Sequence, residues 1–240
     1  ERASRRLEEA AARAIHPARV ETLSFVSPLG HPLPARLPTP ERPASLAVLL
    51  VPGGLDGLRG VEGLSPVLTA PRLAREGYAA LAWGPSGREG TAGPEDCNGP
   101  LHQEEFAAAL RLLVDRYATV AVLSISFGLS IAAGALAAKP ELARRVRVVI
   151  DWEGPPHRGW FRGNRVHGPD EAWWGDREPL HHIGRVACPY WRFQSAWDHV
   201  HGADTGLGLE MVRAAMEGVS PDVRLNGSGP PFETVPLGPV

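Results

Sequence analysis

A serine hydroxyl acts as a nucleophile only where the backbone presents it and a nearby base takes its proton. Ser126 sits in a segment suited to presentation. In VAVLSISFGLSIAAG, residues 120–134, an apolar strand pattern runs into a small-residue helix pattern through Ser124-Ile125-Ser126-Phe127-Gly128. So abrupt a turn needs small side chains two residues before and two after its apex, and Ser124 and Gly128 meet that need. The turn lifts the Ser126 hydroxyl above the strand ends. It also leaves the Phe127 N–H at a helix N-terminus, where developing negative charge is favoured. A helix-capping serine is the plainer alternative. Other chemistry-bearing residues fall near predicted strand ends. Pro52-Gly53-Gly54-Leu55 follows an apolar run, and its glycines permit close approach of backbone N–H groups to a substrate. Asp198 stands in FQSAWDHVHG, residues 193–202, beside His199 and His201. Asp151 and Glu153 in IDWEGP end a further strand, at the edge where open α/β sheets bind ligands. They suit an alternative acid, an ammonium-binding pair, or simple hydrogen bonding to loop backbone. Asp56 reads as a loop carboxylate.

These residues need a scaffold, and the chain spells one. Residues 2–15 read as a charged amphipathic helix. Arg19–Ser27 and PLPARLP read as strands, the second confined to a sheet edge by its prolines. Residues 46–51, LAVLLV, form a strand buried on both faces, as parallel sheets require. Then follow a helix over 65–77, a strand over 78–83, a helix over 101–117, the strand and helix around Ser126, and a strand over 146–151. A strand over 187–194, a helix over 204–218 and a short strand over 222–225 complete the series. This alternation predicts an α/β fold with a mostly parallel central sheet of about eight strands flanked by helices. Residues 152–186 interrupt it with an excursion holding four of the seven tryptophans, either packed on the body or lining a substrate site. The expectation is one domain over 1–240, with 1–18 an N-terminal helix and 152–186 a cap-like insertion.

The Ser126 turn resembles the nucleophile elbow of the α/β-hydrolase superfamily, commonly G-x-S-x-G, with Ser124 replacing the first glycine. The resemblance covers roughly residues 20–226. It implies a serine hydrolase, a carboxylic ester hydrolase by default, working through an acyl-enzyme on Ser126. It places an oxyanion hole at the N–H groups of Phe127 and of Gly54 or Leu55, without the His that often precedes the glycines. It places the acid at Asp198, to orient a catalytic His and stabilise its charged form. Trp152 and Trp197 are expected to contact an apolar or aromatic substrate group. A peptidase or acyltransferase with the same machinery is the near alternative. No cofactor and no metal are implied.

The pattern breaks at the base. The resemblance puts the catalytic His after the last strand, yet GSGPPFETVPLGPV contains none, and Pro230 stands at its position. Three explanations remain open: the His lies beyond Val240, another His serves, or the protein is an inactive binding module of the same fold. Among substitutes His201 is favoured, because His199, adjacent to Asp198, is expected to point away. His157, His181 and His182 could reach in from the excursion. His181-His182 lacks the carboxylate pattern of a metal site.

Composition agrees with a protein that acts on small molecules. Net charge is −2, so nothing in the balance points to a nucleic-acid partner; Lys139 is the only lysine among 25 cationic residues, a bias of genome or habitat rather than of function. No run of 18 apolar residues predicts a membrane span. Cys97 and Cys188 lack metal-ligand spacing and read as free thiols, though a disulfide is compatible with sequence. A start at Glu1 rather than Met leaves a removed leader open and the compartment unassigned, with the cytoplasm the default. The oligomeric state is not readable.

Overall fold

Fully apolar runs become central strands because only a doubly covered parallel strand hides both sets of side chains. The computed structural model describes residues 19–64, 69–160, 166, 168–200 and 206–237. Its sheet contains β1 (Arg19–Val26), β2 (Pro32–Thr39), β3 (Ala47–Val51), β4 (Ala79–Trp83), β5 (Val120–Ile125), β6 (Val146–Trp152), β7 (Tyr190–Phe193) and β8 (Val223–Leu225). The eight strands lie in the order β1-β2-β4-β3-β5-β6-β7-β8. β1 and β2 are antiparallel additions, and the other strands pair in parallel. The chain therefore has an α/β fold with a mostly parallel eight-stranded sheet.

The prolines do not put β2 at the edge. β1 is the edge strand, and β2 lies between it and β4. β2 meets β4 only through Ala35↔Trp83 and Arg36↔Ala82, between Pro34 and Pro38, so the missing proline N–H groups fall outside that short ladder. The predicted N-terminal helix lies outside the described residues. The helix expected over 65–77 is shorter, with α1 at Ala70–Arg75 capped by the Thr69 hydroxyl and preceded by a wide turn at Gly60–Leu64.

The remaining helices are α2 (Pro100–Val114), α3 (Gly128–Ala138), α4 (Pro140–Ala143), α5 (Glu171–Gly175), α6 (Leu180–Ile183) and α7 (Gly206–Glu217). The two sheet faces are covered unequally. Phe106, Leu110, Leu113, Ile131, Leu136, Ile183 and Met211 from α2, α3, α6 and α7 build the larger core. On the other face α1 and the 60–64 turn cover Val48, Leu50, Ala80 and Ala82. Beside them an apolar groove of about 740 Å³ runs over Leu46, Val48, Leu123, Val148 and Ile150 to the ends of β6 and β7. No helix among the described residues is long and apolar enough to cross a membrane.

Candidate active site

Register brings the chemistry to one edge. Val51 pairs with Ser124, Ser124 with Asp151, and Trp152 with Phe193, so the segments after β3, β5, β6 and β7 emerge together. Ser126 has φ +50, in the left-handed region, between β5 and α3. A non-glycine residue held there stores local strain, a frequent mark of functional turns. Its N–H donates to the Trp152 carbonyl at 2.9 Å, which fixes it beside β6. Its hydroxyl makes no hydrogen bond with a described residue.

The 52–55 loop closes on the elbow. A Cβ on Gly53 would stand 3.2 Å from both the Ile125 carbonyl oxygen and the Ser126 Cβ, and one on Gly128 would strike the Pro52 carbonyl oxygen. Gly54 has φ +56, so a side chain there would be strained. Above these residues Phe127, Val166 and Trp174 form a small apolar cluster, joined by Leu55, Cys97 and Trp173. The 152–186 segment is stitched down at this point: the Arg177 guanidinium lies over the Trp173 ring at 3.8 Å and donates to Asp96 at 2.5 Å.

Below the elbow lies a buried polar network that the sequence reading missed. Asn98, itself at φ +64, donates from Nδ2 to the Phe127 carbonyl at 2.8 Å. Arg88 donates to the Asn98 side chain at 2.6 Å and grips Glu95 through two hydrogen bonds. The Asn98 N–H donates to His102 Nδ1, so His102 carries its proton on Nε2 and donates to the Ser86 carbonyl at 3.0 Å. Burial, reinforced by the Arg88 charge, pushes His102 down and keeps it neutral. Glu105 accepts from the Ser86 N–H and from the hydroxyls of Ser86 and Ser27. The network anchors Phe127, the residue that follows Ser126, to α2 and the loop before it.

The carboxylates after β6 and β7 differ from expectation. Asp151 is fully buried and accepts from Tyr190 and Arg192, each at 2.5 Å, and from the Gly154 N–H. It braces strand ends rather than facing a ligand. Asp198 is buried, accepts from the Val200 N–H at 2.6 Å, and stands 3.8 Å from the Arg192 guanidinium. Glu153, at φ +51, collects the acid loop: it accepts from the Ser195 N–H and hydroxyl at 2.8 and 2.5 Å, and from the His199 N–H and Nδ1 at 3.3 and 2.5 Å. Burial pushes the Glu153 carboxyl up, but the hydrogen bonds from Ser195 and His199 outweigh it and hold it below the ordinary glutamate range.

His199 therefore does not point away, contrary to the sequence expectation. The loop turns after Asp198, and two donors of one residue meet one carboxylate. His201 lies outside the described residues. His157 accepts from the Gly159 N–H, His181 stands 3.5 Å from Glu178, and His182 bonds Asp176 and Arg185, so all three are engaged within their own segment. Trp152 and Trp197 both line the apolar groove, whose upper end is formed by Glu153, Ser195 and His199; Ser126 is not among its lining residues. Glu153, Asp198 and His199 offer ligand-type atoms within 4.8 Å of one another, but the Arg192 guanidinium opposes a cation there. Cys97 and Cys188 are free; burial pushes both thiols up, Cys188 to about 12.

No family profile and no curated protein matches the chain. Solved structures do. The Pyrococcus furiosus esterase Pf2001 superposes with a TM-score of 0.66 at 15% identity, over 86% of this chain and 81% of that one. A Mycobacterium tuberculosis puromycin-hydrolyzing peptidase gives 0.66 at 21%, over 86% of this chain and 35% of that one. The Pyrococcus horikoshii acylaminoacyl peptidase gives 0.66 at 13%, over 90% and 38%. Thus the chain spans most of the esterase but little more than a third of each peptidase. These likenesses establish the α/β-hydrolase fold.

Proposed function

We propose that the protein is a serine hydrolase that cleaves carboxylic esters through an acyl-enzyme on Ser126. The observation that carries this reading is the strained Ser126 turn itself, set between β5 and α3 with its backbone pinned to β6. Ser126 Oγ attacks the substrate carbonyl carbon and loses its proton to a base. The carbonyl oxygen takes the negative charge and is held by the N–H of Phe127 and that of Gly54 or Leu55. Collapse expels the alcohol with a proton, and water then releases the acid by the same steps. Asp198 serves by holding the acid loop and, were His201 the base, by orienting that ring. Ester cleavage is favoured by the α/β-hydrolase resemblance and by the esterase that spans nearly the same length. The two peptidase neighbours make amide cleavage the alternative for the same machinery.

Fluorophosphonate labelling followed by peptide mapping tests the reading, together with p-nitrophenyl ester turnover. The expected result is one adduct, on Ser126, and turnover abolished by Ser126→Ala. Absence of the Ser126 adduct refutes it, whether or not turnover is seen.

A further inference from the structure

We infer that His199, oriented by Glu153, is the general base for Ser126; this rests on the serine hydrolase reading above. The argument begins with the order of the strand ends. Glu153 follows β6, which lies between β5, bearing Ser126, and β7, bearing the His199 loop. The Ser126 N–H is bonded to the Trp152 carbonyl, and the Glu153 N–H to the Phe193 carbonyl at 3.1 Å. Glu153 is thus the residue between nucleophile and acid loop. By bonding it, the His199 ring is drawn from the segment after β7 back to the end of β6, the strand beside the one that leads to Ser126.

The protonation pattern follows from chemistry. An ionised carboxylate only accepts hydrogen bonds. His199 Nδ1, 2.5 Å from Glu153 Oε2, therefore carries the proton, and Nε2 presents a lone pair. That is the tautomer a general base requires. Glu153 is itself overdetermined: four donors from residues 195–199 converge on it, and its backbone is held at φ +51, the same left-handed region as Ser126 one strand away. Strain kept at two neighbouring strand ends by surrounding bonds marks a constrained site. The His199 side chain is 51% exposed, so its far nitrogen is not enclosed by the fold and can be reached by a substrate. The Ser126 hydroxyl makes no hydrogen bond with a described residue, and catalytic contacts of this kind commonly tighten only with substrate bound.

In the step assigned, Ser126 Oγ forms a bond to the carbonyl carbon as its proton passes to His199 Nε2. The C=O electron pair moves to oxygen. On collapse the C–O bond to the alcohol breaks, and the departing oxygen takes the proton from Nε2. Glu153 stays ionised, as a positioning residue that fixes the ring and favours its cationic form. The second half repeats the transfers with water.

The test uses ester turnover and Ser126 labelling in the full chain, with His199→Ala, His199→Gln, Glu153→Gln and His201→Ala measured alongside. His199→Ala and His199→Gln are expected to lower kcat by about 1,000-fold or more with KM little changed, as removal of a triad base does. Added imidazole should restore part of the activity to His199→Ala, where the ring has left space, but not to His199→Gln. Glu153→Gln should lower kcat by about 100-fold or more, again with KM held. Turnover and labelling of His199→Ala at the unaltered rate overturn the assignment while leaving the Ser126 reading intact. So does a loss that follows His201→Ala instead, or a His199→Ala loss that imidazole does not relieve. No Ser126 adduct in the unaltered protein overturns both.

Discussion

The two halves of the site are built differently. The Ser126 half rests on β3, β5 and α3, which are buried over most of their length, and on the Arg88–Asn98–His102 network beneath them. The His199 half rests on residues 194–200, a loop beyond the short strand β7, with Trp197 61% exposed and two buried carboxylates, Glu153 and Asp198, gathering it. Presenting a hydroxyl and an oxyanion donor demands a rigid backbone. Moving a proton demands a side chain that can swing by a fraction of an ångström. The contrast matches a first half locked by many bonds along buried elements and a second held chiefly at two carboxylates.

The largest effect that would sharpen this contrast concerns the brace under both halves. Arg192→Met leaves Asp151 buried without its cation and should cost about 3–5 kcal/mol of stability in denaturant unfolding. A change below about 1 kcal/mol would mean that the strand ends do not depend on it. Asn98→Ala removes the side-chain donor to the Phe127 carbonyl. It should cost about 1–3 kcal/mol and lower kcat more than it raises KM, since the proposed oxyanion donor, Phe127, loses its anchor. Equal effects on both constants would break the claim that the network serves the elbow. Ser126→Gly relieves the left-handed strain. After allowance for the freer unfolded chain, it should raise stability by about 1 kcal/mol while turnover disappears.

Glu153 gives the His199 half a pH signature. Its carboxyl titrates lower in the folded protein than in the unfolded chain, where the value is about 4.3. Below that pH the unfolded state binds more protons. The stability contributed is therefore fully present above about pH 4.3 and is lost as pH falls through the folded value. Glu153→Gln should flatten this part of the unfolding midpoint against pH; an unchanged slope would detach Glu153 from the loop's stability. The smallest effect belongs to Ser124, whose buried hydroxyl lacks a hydrogen bond. Ser124→Ala keeps the side chain small and should change stability by less than about 1 kcal/mol, with turnover intact.

The same contrast governs what could be read from sequence. The elbow was legible because its demands are local: small residues at 124 and 128, an apolar strand before and a helix after. The 52–55 loop was legible for its glycines. Asn98, Arg88 and His102 were not, because their partners are brought together by the packing of α2 against the elbow, and no spacing within 88–102 announces an anchor for Phe127. His199 was misread for a related reason. Adjacency to Asp198 predicts opposite directions in a strand, but residues 195–200 turn around Glu153, forty-six positions earlier. The missing edge position of β2 has the same origin, since its prolines tolerate an interior place when the second ladder is only two pairs long.

The most direct test of the central claim is to trap the intermediate. The protein is mixed with a p-nitrophenyl ester, quenched in acid during turnover, digested and mapped by mass. The account predicts one acyl group on the peptide spanning residues 120–134, located at Ser126, and its disappearance on chase with buffer. Product formation with Ser126 unacylated would contradict it.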